Sequence, residues 1–104
     1  MIRVQFFKKG DMLTGFESKG HSYAAECGSD IVCAFVSSAC YMTANTVTEI
    51  LSLDAAARDG DGYMRLSINS SPEKAQDILN GMKLHLTELQ KEYPENIKVT
   101  ITEE

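Results

Sequence analysis

The stretch YMRLSINSSPEKAQDILNGMKLHLTELQKEYPENIKVTI, from Tyr63 to Ile101, contains the patterns of a strand, a helix and a second strand. At the start of this stretch, Met64, Leu66 and Ile68 alternate with polar residues and predict a strand. At its end, the same alternation of Ile97, Val99 and Ile101 predicts a second strand. Between them, Ser70-Ser71-Pro72-Glu73 supplies a capping residue, an early proline and an acid, which are typical of a helix start. Pro94 ends this helix, whose apolar stripe consists of Ala75, Ile78, Leu79, Met82, Leu86 and Leu89.

The first half of the chain predicts the same kinds of element. Alternation in Ile2-Arg3-Val4-Gln5-Phe6 indicates a strand, and residues 12–19 form its hairpin partner after a turn at Lys8-Lys9-Gly10-Asp11. Asp30 is a preferred N-cap, so we expect a buried helix from there to about Leu51. The remaining strand comprises residues 53–58, and the Asp-Gly pairs of residues 59–62 then form a tight turn. The order ββαββαβ predicts one α/β domain of the α+β type over residues 1–104, a two-layer sandwich with both helices on one face of the sheet.

Charge and composition narrow the possible functions. The chain has 104 residues, ten Lys and Arg, fifteen Asp and Glu, a net charge of -5 and a pI near 5.0. This balance opposes a phosphate backbone as the main partner, so we expect no direct contact with nucleic acid. No apolar run approaches the ~20 residues that cross a bilayer, and the N-terminus lacks a signal-peptide pattern, which predicts a cytoplasmic protein with no membrane association. The three cysteines are then expected to stay reduced.

Cys33 and His21 are the residues that could perform covalent chemistry. If the helix begins after Asp30, Cys33 lies in its first turn, where unpaired amides and the helix dipole lower the pKa of a thiol. His21 lies twelve residues upstream in a predicted mobile loop, residues 20–29, that could fold back so that the imidazole reaches the sulfur. Ser37 follows Cys33 by four residues and shares its helix face. The alternative is a buried structural cysteine and a solvated histidine.

Other polar residues have simpler interpretations. We expect Cys40 to lie in the core, His85 on the polar side of the second helix, and Asp59 and Asp61 in a turn. A zinc site could use the side chains of His21, Cys27 and Cys33. These residues lack the Cys-x2-Cys spacing and a fourth ligand, which argues against such a site. The sequence therefore implies no metal and no cofactor.

The run Gly20-His21, a short loop and then Asp30-Ile31-Val32-Cys33-Ala34 resembles the signature of the ribosomal-processing cysteine protease family Prp. The similarity extends through Asp61-Gly62-Tyr63, Lys91-Glu92-Tyr93-Pro94 and the last strand. The resemblance implies that Cys33 is the nucleophile and His21 the general base and acid, with Gly20, Asp30 and Ser37 at supporting positions.

The same resemblance implies a substrate and an assembly. Members are small cytoplasmic bacterial homodimers that remove an N-terminal extension from a large-subunit ribosomal protein, the twenty-seventh. That extension is apolar and aromatic near the cut and basic beyond it.

Two other functions fit the residues. One is a non-catalytic ribosome-assembly factor that binds the extension without cutting it. The other is a thiol redox sensor that uses Cys27 and Cys33.

Overall fold

A five-stranded mixed sheet with helices packed on it forms the structure, which is a computed structural model describing residues 1–21 and 26–104 except for the side chains of residues 26–30. The elements follow each other as β1, β2, α1, β3, β4, α2 and β5. Their bounds are β1 Ile2–Lys9, β2 Met12–Lys19, α1 Glu26–Asn45, β3 Ala55–Gly60, β4 Tyr63–Ile68, α2 Gln76–Glu92 and β5 Ile97–Glu103. The predicted order of elements and the predicted α+β class are confirmed.

The strands lie in the order β3-β4-β2-β1-β5. Three neighbouring pairs are antiparallel, whereas β5 runs parallel to β1, with Ile2 opposite Ile97. A parallel pair needs a crossover connection, which α2 supplies before the chain enters β5. Because side chains alternate between the two faces of a sheet, one face turns towards the helices and the other remains open.

The core lies between that inner face and the two helices. Phe6, Phe16 and Leu66 on the sheet are completely buried and pack in one cluster with residues of both helices. The buried apolar residues of the helical layer include Val32, Val36, Ala39, Cys40, Ala44 and Val47 before β3, and Leu79, Met82, Leu86 and Leu89 in α2.

The first helix differs from its sequence prediction at both ends. It begins at Glu26, so Asp30 lies inside the helix and is not its N-cap, and the predicted loop over residues 20–29 is correspondingly shorter. Residues 22–25 of that loop lie outside the described residues. At the other end, a π-helical turn over Thr46–Ile50 follows α1. This is the region in which β-branched residues lower helix propensity.

Residues 31–50 of this helical segment are long and apolar enough to cross a membrane by length and composition, with a mean hydropathy of 1.3. The expectation that no stretch comes near that length is therefore wrong. Val32, Val36 and Val47 in this segment are buried in the core, but only a third of the segment is buried, and large apolar side chains such as Met42 and Ile50 are exposed.

The second helix begins close to the position that the sequence predicts, but the conformation of its first residues differs from the prediction. A 3-10 turn, Pro72–Ala75, precedes α2. Ser71 adopts a left-handed conformation with φ 57° and its side chain makes no capping hydrogen bond. The proline and the acid at the start agree with the prediction, whereas the side-chain cap does not.

Candidate active site

A pocket of about 190 Å³ opens at the edge of the sheet where β1 and β4 begin and β2 ends. His21 and Cys33 both line it, as do Gly20 and Ser37. The described chain thus brings four of the five predicted site residues to one place. The side chain of the fifth, Asp30, lies outside the described residues. The other lining residues are Ile2, Ser18, Val36, Cys40, Tyr41, Gly60, Asp61, Gly62, Tyr63 and Met64.

Cys33 lies well inside α1, because the helix begins seven residues before it. The free amides of a first helical turn therefore do not surround its sulfur, and the helix-terminus argument made from the sequence is wrong. Its side chain is partly buried and partly packed against the core. Ser37 follows one turn later on the same side of the helix and is exposed.

His21 directly follows the end of β2, and its backbone is fixed by neighbours from two directions. The Met1 amino group donates to the His21 carbonyl at 2.7 Å, and the Gly20 N–H donates to the Gly62 carbonyl at 2.8 Å. The imidazole is 38% exposed. It is therefore held at the pocket by the strand end yet remains accessible to solvent and to a substrate.

Asp61 is a site residue that the sequence placed only in a turn. Its Oδ1 lies 3.7 Å from His21 Nε2, and its side chain is 98% exposed. At such exposure the ion pair adds little to stability, but a carboxylate beside one ring nitrogen influences which tautomer the imidazole adopts. The Asp-Gly pair predicts the turn. The contact of Asp61 with His21, however, depends on the pairing of β4 with β2.

Gly62 lies directly beneath the imidazole. Its φ is +64°, and a Cβ added there would come within 2.5 Å of His21 Nε2. Gly20 is similarly constrained, since its φ is +100° and a Cβ would meet the Met1 carbonyl at 2.5 Å. Both positions therefore favour glycine for the backbone angle, and each also for lack of space, Gly20 beside the Met1 carbonyl and Gly62 beside the His21 ring.

Tyr41 and Asp59 add a polar contact on the helix side of the pocket. The Tyr41 hydroxyl donates to Asp59 Oδ2 at 2.8 Å. This hydrogen bond, followed by the charge of the same carboxylate, raises the pKa of Tyr41. The phenol thus stays a donor at neutral pH.

Glu17 does not line the pocket but contacts Tyr63, which does. The Tyr63 hydroxyl donates to Glu17 Oε2 at 3.0 Å, and Arg65 donates to the same oxygen at 3.3 Å. Burial by itself raises the pKa of Glu17, but the hydrogen bond from Tyr63 and the charges of Lys19 and Arg65 outweigh it, so the pKa is lowered from 4.5. The buried carboxylate is therefore stabilised in its ionised form.

Replacing Glu17 by glutamine should lower the free energy of unfolding at neutral pH by about 1 to 3 kcal/mol, the usual cost of losing hydrogen bonds to a charged group. Because the folded pKa lies below 4.5, the carboxylate stabilises the fold above that pH, and this stabilisation is lost as the pH falls through the folded pKa. Urea unfolding between pH 7 and pH 3 should show a smaller acid dependence for Glu17→Gln than for the wild type. Glu88→Gln, at an exposed pair with Lys91, is the control and should behave as the wild type. Equal acid dependence in all three proteins would contradict this role for Glu17.

Cys40 also borders the pocket but is not suited to nucleophilic attack. It is 2% exposed, and burial raises the pKa of its thiol to about 11, with a hydrogen bond to Ser18 acting in the opposite direction. Its predicted place in the core is confirmed. Within the described residues, this leaves Cys33 as the accessible thiol of the pocket.

Comparisons with known proteins agree with one another. The family model for cysteine protease Prp matches residues 1–98. A ribosomal processing cysteine protease Prp from Bacillus subtilis is 32% identical, and the alignment covers 96% of each chain. The crystal structure of the essential ribosomal processing protease Prp of Staphylococcus aureus with a covalently linked product peptide has a TM-score of 0.85 and 28% identity, over 98% of this chain and 100% of that one. The same S. aureus protein with a substrate peptide gives a TM-score of 0.86 and 26% identity, with the same coverage.

A thiol and an imidazole that line one pocket are the two groups a cysteine protease needs for covalent catalysis. The fold and the comparisons place this chain in that class of enzyme. More narrowly, it belongs to the ribosomal processing cysteine protease Prp family.

Proposed function

We propose that this protease is an endopeptidase that removes the N-terminal extension of a large-subunit ribosomal protein, the twenty-seventh, with Cys33 as nucleophile and His21 as general acid and base. The observation that carries the proposal is that Cys33 and His21 line the same pocket of about 190 Å³. The S. aureus relative, described as a ribosomal processing protease, has been crystallised with a covalently linked product peptide, which supports an acyl-enzyme route.

The reaction then has two halves. The Cys33 thiolate attacks the scissile carbonyl carbon, the C–N bond breaks, and the imidazolium of His21 gives its proton to the departing amine. The N-terminal extension remains on the sulfur as a thioester, and the shortened ribosomal protein leaves. His21 then takes one proton from water as the water attacks the thioester, and the extension leaves as a carboxylic acid, which ionises in solvent. The thiolate and the imidazolium are restored.

Neighbouring residues would position these two groups. The Asp61 carboxylate, 3.7 Å from His21 Nε2, would act on the imidazolium through its charge. Ser37 would hydrogen-bond the peptide from the same helix face as Cys33. Gly20 keeps the strand end close to Met1, and Asp30 remains a proposed supporting residue on α1.

The charges at the pocket agree with the proposed substrate. Asp59 and Asp61 are exposed beside it, and a basic segment beyond the cut would find opposite charge there. The apolar residues Ile2, Val36 and Met64 line the interior and could receive apolar side chains near the cut.

The test is a turnover experiment with a synthetic peptide that contains the extension and the first residues of the mature protein. Mass spectrometry of acid-quenched samples should show both cleavage products and an enzyme whose mass is increased by the extension, with the modification mapped to Cys33. The variant Cys27→Ser should do the same. Tight binding without products would instead support the binding factor, and loss of function in Cys27→Ser would support the thiol sensor. Either result would overturn the proposal.

We also propose that the enzyme is a cytoplasmic homodimer whose two copies meet through the helical layer. A groove of about 480 Å³ between α1 and α2 is lined by Phe35, Met42 and Ile78, of which Phe35 is 43% and Met42 59% exposed. Apolar grooves of this kind suit a self-complementary interface. Light scattering after size exclusion should show a dimer for the wild type and a monomer for Met42→Glu. The control Met12→Glu, on the sheet, should remain a dimer, and a dimeric Met42→Glu would contradict this interface.

A further inference from the structure

The positive charges of this acidic chain are concentrated on the open face of the sheet. Strand register places six of the ten Lys and Arg on that face, together with two acids: Glu17 on β2, and Glu104 directly after β5, which borders Phe7, Lys9 and Ser67. Cations therefore outnumber acids on this face, whereas acids outnumber cations in the chain as a whole. The six cations are Arg3, Lys9, Lys19, Arg58, Arg65 and Lys98.

Several of these cations are direct neighbours across strands. Arg3 on β1 is opposite Lys19 on β2 and also opposite Lys98 on β5. Arg58 on β3 is opposite Arg65 on β4. Neighbouring strands lie only about 4.8 Å apart, so the charges form two short rows across the sheet.

Such pairing opposes folding, because like charges directly opposite each other destabilise a sheet. Cations on edge strands discourage aggregation, which would account for Arg58 and Lys98. On the interior strands, Lys19 and Arg65 are paired with Glu17, so that Arg3 on β1, opposite Lys19 and Lys98, is the cation left unexplained. A ligand that carries negative charge would relieve the repulsion.

The charges on this face are available to such a ligand. Arg65 is held by Glu17 and lies 4.6 Å from the centre of the Phe7 ring, which fixes its orientation. Among the side chains of residues 1–21 and 31–104, Arg3, Arg58 and Lys98 form no ion pair, and all three are exposed.

We propose that the open face of the sheet binds the phosphate backbone of RNA. A row of exposed cations at strand spacing suits a polymer with a regular negative charge, and this contact does not require a positive net charge for the whole chain. The earlier expectation of no nucleic-acid contact rested on net charge alone, whereas the fold separates the charges onto different surfaces. A second copy of this chain is a poor occupant, because the same cations would face each other across a two-fold axis.

The choice of RNA among polyanions rests on the proposed ribosomal substrate, since a ribosomal protein is found beside RNA. The geometry agrees with that choice. Lys19 ends β2 directly before Gly20 and His21, so one cationic row lies at the edge of the sheet where the pocket opens. An enzyme bound to RNA by this face would hold its pocket beside the RNA surface, where the extension is presented.

The test measures RNA affinity without any peptide. Fluorescence anisotropy of a labelled RNA hairpin is followed at about 50 and 200 mM KCl for the wild type and for the triple variant Arg3→Gln, Arg58→Gln, Lys98→Gln. We expect the triple variant to lose at least about tenfold in affinity at the lower salt concentration, and its salt slope to fall by about three, one for each lost phosphate contact.

The control removes the same amount of positive charge from the helical side of the molecule. The triple variant Lys74→Gln, Lys83→Gln, Lys91→Gln should keep its affinity within about twofold and its salt slope unchanged. Equal losses in both variants would overturn the proposal, as would wild-type protein that binds no RNA at low salt or binds only vesicles of anionic lipid. Wild-type protein that cleaves the peptide but ignores RNA would overturn this inference alone. Protein that binds RNA but does not cleave would overturn only the proposed function.

Discussion

Replacing Cys33 by alanine should reduce cleavage of the extension peptide by at least about 10³-fold, because no nucleophile remains to form the thioester. Within the described part of the chain, no other thiol can take its place, since Cys40 is buried with a pKa raised to about 11. Cys33→Ser should be nearly as inactive, because a hydroxyl at this position is far harder to ionise than a thiol. The measurement is kcat/KM by chromatography of the products.

Two controls separate loss of chemistry from loss of fold. The alanine variant should still bind the peptide, measured by anisotropy, and should keep the circular dichroism spectrum of the wild type. Cys27→Ser should retain full cleavage. If the alanine variant kept more than a tenth of the activity, or if Cys27→Ser lost it, Cys33 would not be the nucleophile.

The layered fold could be predicted because its elements carry strong periodicity. The strand ending in Ile68, the stripe of α2 and the alternation of residues 97–101 each indicate one face to bury, and the structure buries those faces together. The start of α1 was misplaced because Asp30 has the features of an N-cap. Nothing in the preceding Glu26-Cys27-Gly28-Ser29 predicts the extra turn that the structure contains, since Gly28 alone costs about 1 kcal/mol in a helix.

The sequence indicated four residues that line the candidate site, Gly20, His21, Cys33 and Ser37, but not the contacts of His21 with Asp61 and Gly62. Cys33 and His21 were found by residue type and by resemblance, and the structure places both on one pocket. The contacts of His21 with Asp61 and Gly62 join residues forty or more positions apart, and they exist because β4 pairs with β2. The concentration of cations on the open face also arises from strand pairing. It could not be predicted, because strand order cannot be deduced from a local pattern. It became visible only when five strands were aligned.

Replacing Gly62 by alanine should reduce kcat/KM for the extension peptide by about 10²-fold, a loss typical of catalytic groups that are displaced by an ångström. The new Cβ would stand 2.5 Å from His21 Nε2, closer than any real contact, so the ring must move away from its present position. The backbone cost is separate, since a left-handed conformation without glycine costs about 1 to 2 kcal/mol.

Gly10 provides a matched control for that backbone cost. It lies in the β1–β2 turn with φ +62°, almost the same as the +64° of Gly62, but a Cβ there would meet nothing within 4 Å. Thermal unfolding should therefore show similar losses of stability in Gly10→Ala and Gly62→Ala, whereas only Gly62→Ala should lose cleavage. Equal activity in the two variants would mean that the position of the His21 ring does not matter for the reaction. Because the two turns differ in their distance from the imidazole and hardly at all in backbone angle, the comparison isolates the placement of that ring from the stability of the fold.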